Sequence, residues 1–186
     1  MPGHHLILGE VADLITGEML QDTHDERYRQ EIARMLIDLK GYRRTDITPR
    51  RPLTITVGEK KAIVPIDFLI RVEGIAGMII RFGPGSLVTR HRPSLAVSRL
   101  AEPYQIPLVV ITNGEGADIV DGHSGKIIRK GLDNVHHRNE LRQWLKTADL
   151  EKIPSERVEM ESRIVYAYEI DDACPCDDTV CRLPCR

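Results

Sequence analysis

Few positions in this 186-residue chain combine a chemically capable side chain with a telling neighbourhood. Asp67 sits between Ile66 and Phe68 inside an apolar run. A carboxylate there is costly to bury unpaired, so it faces water, pairs with an arginine, or belongs to a site. Glu26 closes Thr23-x-x-Glu26, the spacing of a helix-capping box, and Gln30 follows one turn later on the same face. From Arg81 to Ala101 the chain carries Arg81, Arg90, His91, Arg92 and Arg99 with no acidic residue, and Gly83-Pro84-Gly85-Ser86 lies near its start. Such a segment offers backbone N–H groups and guanidinium forks to phosphates, or serves as a solvated connection. A second basic cluster comprises Lys40, Arg43, Arg44, Arg50 and Arg51.

Cys174, Cys176, Cys181 and Cys185 make a C-x-C-x4-C-x3-C tail. Thiolates this close together suit one zinc ion or an iron–sulfur cluster, and a redox-sensitive tail is the competing expectation. With every cysteine in the last thirteen residues, none staples the main core, which points to a reducing compartment. No apolar run reaches the roughly 20 residues that span a bilayer, and MPGHHLILGE lacks a basic start and a long apolar stretch. The expectation is a cytoplasmic protein with no membrane partner. A net charge of −2 gives no global reason to bind nucleic acid, so that argument rests on the local clusters.

These residues need elements to hold them. Tyr28, Ile32, Met35, Leu36 and Leu39 recur at helical spacing and predict a helix over 26–40, closed by Gly41, with Arg27/Glu31 and Arg34/Asp38 paired on its outer surface. TDITPRRP reads as a connection. LTITV, AIVPIDFLIRV and AGMIIRF read as an antiparallel meander. A second helix is predicted from Pro93, then a buried strand PLVVIT ending in the turn residues Asn113-Gly114. ADIVD and KIIRK form a small closing hairpin, and NELRQWLK and SERVEMESRIVYAYEI read as helices. His123, His136 and His137 fall in turns and are expected at the surface.

Thr23-His24-Asp25-Glu26-Arg27-Tyr28-Arg29-Gln30, Leu39-Lys40-Gly41-Tyr42, Asp67 in a strand and Ile111-Thr112-Asn113-Gly114 occur in an order that resembles the N-terminal nuclease domain of type I restriction enzyme R proteins, a branch of the PD-(D/E)xK superfamily. Roughly residues 22 to 130 carry the resemblance. It implies an α/β fold with a mixed sheet and a restriction endonuclease-like α-β-β-β-α-β core with additional helices. The organisation is then an extension over 1–21, the core over 22–146, a C-terminal helix over 147–172 and the cysteine tail over 173–186.

The resemblance also implies chemistry. Family members carry an aspartate in the second core strand and E-x-K in the third. Here the aspartate is Asp67, while Met78-Ile79-Ile80-Arg81-Phe82-Gly83 puts the glutamate on Ile79 or on Arg81, so E-x-K is absent. Magnesium usually takes one or two carboxylates with phosphate and water, which leaves Asp67 and Glu26 as a weak metal pair. Arginine stabilises phosphate charge but is a poor general base. The expected set is Asp67, Glu26, Arg81 and Gln30 at a catalytic cleft, with Arg81, Arg90, Arg92, Arg43 and Arg44 lining one basic groove for nucleic acid, DNA above RNA. Whether the chain remains a magnesium-dependent endodeoxyribonuclease is open at this point. The competing expectation is an adaptor that keeps the fold and uses the cysteine tail, in its metal-bound form, to meet a protein partner or a second copy. No G-x-x-x-x-G-K-[ST] loop occurs, so no translocase motor is expected within these residues.

Overall fold

The structure is a computed structural model that describes residues 7–170. The cysteine tail lies outside the described residues. A short hairpin, β1 (Glu10–Ala12) and β2 (Met19–Gln21), precedes helix α1 (His24–Arg34). The main sheet follows with β3 (Ile47–Val57), β4 (Lys60–Val72) and β5 (Ile75–Phe82), crosses over through α2 (Val88–Leu100), and continues with β6 (Leu108–Thr112), β7 (Ala117–Asp121) and β8 (Ile127–Lys130). Helices α3 (Arg138–Leu145) and α4 (Ser155–Glu169) complete the described chain. Sheet order is β3-β4-β5-β6-β7-β8, with β5 and β6 parallel and every other pair antiparallel. This is a mixed α+β arrangement of the restriction endonuclease-like kind. Among the described residues no helix is long and apolar enough to cross a membrane.

Each face of the sheet buries its own core. Ile32 and Ala33 of α1 and Leu36 just after it, with Leu141 and Leu145 of α3, cover Phe68, Ile70, Met78, Ile80 and Val110. Ala96 and Val97 of α2, with Val165 of α4, cover Ile66, Leu69, Ile79, Val109 and Ile111. β6 is buried at every residue because helices lie on both sides of it.

The faces exchange partway along β3 and β4. Side chains alternate with period two along a strand, so Ile47, Leu53 and Ile55 would share one face of a regular β3. Instead Ile47 joins the first core while Leu53 and Ile55 join the second. Arg50 lies between them in left-handed backbone, φ 47°. On β4, Val64 and Ile66 belong to the second core and Phe68 and Ile70 to the first, with Asp67 at the change.

Several local expectations are corrected. The stretch TDITPRRP is mostly strand: β3 begins at Ile47 and runs through both prolines, which an edge strand tolerates because it leaves N–H groups outward. Helix α2 starts at Val88 rather than Pro93, and the proline, early in the helix, removes one backbone bond. The first helix ends in a π turn, Met35–Leu39, before Gly41 closes it at φ 73°. That wider turn leaves Leu39 64% exposed instead of inward. Arg27 forks onto Asp22 rather than Glu31, and Arg34 makes no ion pair with Asp38 among the described residues. The β7–β8 hairpin forms as expected and extends the main sheet through β6.

His136 is buried rather than at the surface, edge-on to Trp144 at 5.3 Å between ring centroids. Among the described residues neither of its ring nitrogens has a hydrogen-bond partner. Burial, reinforced by Arg129, pushes its pKa down from 6.5 to about 4. The unfolded chain takes up this proton as pH falls through 6.5 and the folded chain only near 4, so stability is full above 6.5 and declines between those values. His136→Phe should remove a loss of up to about 3 kcal/mol across that window in urea titrations at several pH values. An unchanged pH dependence in the variant would refute the assignment.

Candidate functional site

The sequence of α1 places Glu26, Arg29 and Gln30 on the side that meets β3 and β4. Thr23 caps the helix by accepting the Glu26 N–H at 3.1 Å. The Glu26 carboxylate does not turn back to complete the capping box. It accepts from Gln30 Nε2 at 2.7 Å and from Arg50 Nη2 at 2.8 Å. The same two donors reach Asp13, at 3.1 Å from Gln30 Nε2 and 2.7 Å from Arg50 Nη2. Gln30 Oε1 accepts the Leu14 N–H, which fixes its amide orientation.

Asp13 is the residue that sequence reasoning missed. It follows β1 in what read as an extension, and only Asp13-x-x-Thr16, an Asx-type turn spacing, marks it. Burial raises its pKa, but N–H groups of Thr16 and Ile15 together with Arg50 and Gln30 outweigh burial and hold it near 2. It is ionised at neutral pH. In turn, Asp13 and Glu26 hold the Arg50 guanidinium charged against the cost of its own burial.

Asp67 lies one step further into the sheet. The Phe68–Ile80 pairing brings it alongside Arg81 and Phe82. Its Oδ1 accepts from Arg29 Nε at 2.7 Å and its Oδ2 from the Phe82 N–H at 2.9 Å, with Arg81 Nε 3.7 Å from Oδ2. Arg29 also lies over the Phe82 ring, 5.1 Å from its centre, and Tyr28 stacks on that ring at 5.7 Å. Arg81 Nη2 donates to Glu169 at the end of α4 at 2.9 Å, while Arg81 Nε and Nη1 are buried with no hydrogen-bond partner among the described residues. Asp67, Glu26, Gln30 and Arg81 therefore converge on one seam, with Asp13, Arg29, Arg50 and Glu169 added. Four carboxylates against three guanidinium groups leave this seam at −1.

Of the five arginines assigned to a basic groove, Arg81 and Arg92 are held by acids. Arg92 Nη1 lies 2.6 Å from the fully buried Glu161 of α4, which also accepts from Arg99 and Arg157. Burial works against Glu161's charge, yet Arg92 and Arg99 hold its pKa below the ordinary carboxylate range. His91 pairs with Asp118 at 2.8 Å. The acid-free stretch thus finds its acids on distant elements. Arg90 lies across Gly83 and donates to Pro84 O at 3.2 Å. Arg43 and Arg44 are exposed, but they flank a turn tied to α3 by Arg138 and Asp46 at 2.8 Å, toward the Val72–Ile75 end of the sheet. Arg90 lies beyond the opposite end of β5, so the two clusters do not line one groove. A cleft of about 690 Å³ lies elsewhere, between α2 and the start of α4. Its Arg99 and Arg157 are already bound to Glu161 and its Asp149, Glu151 and Glu156 offset the remaining cations, so it offers no charged recognition set.

A magnesium ion does not fit the Asp67–Glu26 pair as arranged. The place beside both carboxylates is taken by Arg29, whose Nη1 is 3.9 Å from Glu26 and whose Nε is bonded to Asp67. Among the described residues no group of three or more acids, histidines or cysteines converges as a metal centre. Each register of E-x-K meets an obstacle at or just after β5. Ile79 is fully buried in the second core, where a glutamate would lie uncompensated. A side chain on Gly83 would begin 2.3 Å from the Arg90 guanidinium and require that flexible side chain to move.

The architecture is that of the restriction endonuclease-like class. The family model for the type I restriction enzyme R protein N terminus matches residues 24–135, and the chain belongs to this family. No curated protein and no solved structure shows a significant match. Asp13, Glu169 and Glu161 lie outside the matched segment.

Replacing Asp67 by Asn keeps its shape but strands Arg29 and Arg81. Chemical denaturation should show a loss of about 2 kcal/mol or more. Asp22→Asn, which breaks only the exposed pair with Arg27, should cost much less. Equal losses would contradict the buried role given to Asp67.

Proposed function

We propose that this chain binds nucleic acid, DNA in the first instance, and that its metal-dependent phosphodiester cleavage is impaired or lost. The observation that carries the reading is Asp67 lying between Arg29 and Arg81, with no acid on β5 beside it. Membership of a restriction-enzyme family supports contact with DNA. A cleaving site of this type needs carboxylates free to hold a divalent ion and a base or lysine to orient water. Here the carboxylates are engaged, and arginine does not serve as the base.

In this reading the roles of the basic residues divide. Arg81 and Arg92 hold the frame through Glu169 and Glu161, while the more accessible Arg90, Arg43 and Arg44 meet phosphates. With a net charge of −2, binding is local and moderate rather than driven by the whole protein's field.

Fluorescence anisotropy with a labelled duplex across a salt series tests this. Affinity should fall steeply with salt, and Arg43→Ala with Arg44→Ala should weaken binding and shrink the slope by roughly one for each phosphate left unneutralised. Plasmid and single-stranded DNA incubated with Mg²⁺ or Mn²⁺ should remain intact. Absence of binding at low salt would leave the adaptor role, and cleavage abolished by Asp67→Ala would show that the site is competent after all.

A further inference from the structure

We propose that Arg50, seconded by Arg29, is this chain's own replacement for the divalent cation that restriction-type sites take, so that the folded protein holds a tethered cation where an ion would otherwise compensate Asp13, Glu26 and Asp67. The geometry is that of an occupied cation position. One Arg50 nitrogen lies 2.7 Å from Asp13 Oδ2 and 2.8 Å from Glu26 Oε1, and Gln30 Nε2 bridges the same two oxygens. Arg29 performs the matching task between Glu26 and Asp67.

Two independent features show that the structure sustains this placement at some cost. Arg50 is held at φ 47°, where a residue with a side chain is strained. That conformation interrupts β3 where Arg50 faces the seam. Arg81 adds a further buried guanidinium, ion-paired with Asp67 and Glu169 yet with Nε and Nη1 lacking a hydrogen-bond partner among the described residues, so part of its polar surface is buried unsatisfied. A guanidinium brings its charge without the dehydration that magnesium resists, and it leaves no open coordination position for water or phosphate. The seam is thereby stable without metal and closed to metal.

Removing the tethered cation should therefore open an ion site. Arg50→Gly deletes the guanidinium and suits the left-handed backbone, so this variant is expected to fold. Mn²⁺ is the probe because it prefers oxygen ligands to the tail's thiolates. Bound Mn²⁺ is counted by electron paramagnetic resonance on the full chain. The wild type and Arg50→Lys should show no saturable binding. Arg50→Gly should bind a single ion at least about tenfold more tightly than the wild type, and adding Asp13→Asn should abolish the gain. If Arg50→Gly is unfolded without metal, refolding by Mn²⁺ supports the proposal and failure to refold counts against it. Saturable binding by the wild type that Asp13→Asn removes, or no gain in Arg50→Gly, overturns it. The readout involves no nucleic acid, so its outcome is separate from that of the DNA-binding reading.

Discussion

Charge compensation in the seam between α1 and the sheet governs the rest of this structure. Carboxylates carried into a protein interior are tolerated only when cations and N–H groups meet them. Asp13, Glu26 and Asp67 arrive from three different segments, and Arg29, Arg50 and Arg81 arrive to meet them from α1, β3 and β5. The N-terminal hairpin is docked by this exchange, since Asp13 and Leu14 are its polar links to Gln30. The end of α4 is docked by it too, through Glu169 and Arg81.

The opposite face repeats the solution with the signs reversed. One fully buried glutamate, Glu161, gathers Arg92 and Arg99 from α2 and Arg157 from its own helix. Arginine suits both places because its planar fork reaches several oxygens at fixed angles and its charge persists in a partly buried setting. Breaking either hub exposes unpaired charge, so both fix the packing of helices whose apolar surfaces alone would allow sliding. The face exchange at Arg50 and Asp67 follows from the same demand, because it turns these two polar side chains toward the seam while their neighbours remain in the apolar cores.

Much of this is legible in the sequence. The meander, the crossover and the buried β6 follow from apolar runs and turn residues, and the motif order from Thr23 to Gly114 marks the family. Asp67, Glu26, Gln30 and Arg81 are recognisable as neighbours for the same reason. What escapes is what depends on long-range pairing. Asp13 lies in a short hairpin whose strands carry no strong alternation. Arg50 lies between two prolines in a stretch that reads as a connection, and nothing local reveals a strand with a left-handed residue. The basic run from Arg81 to Ala101 reads as free because its acidic partners, Asp118, Glu161 and Glu169, come from β7 and α4. His136 reads as a turn residue because its burial is supplied by Trp144 on α3.

Arg50 has one more effect, at the border of the sheet. β3 is an outermost strand, eleven residues long, and a flat strand of that length offers an unpaired ladder onto which another chain can add as a further strand. The left-handed kink at Arg50, with Pro49 and Pro52 on either side and Arg51 charged and exposed, breaks that ladder into two short pieces. The residue that neutralises the interior thus also marks the point where the rim of the sheet is interrupted.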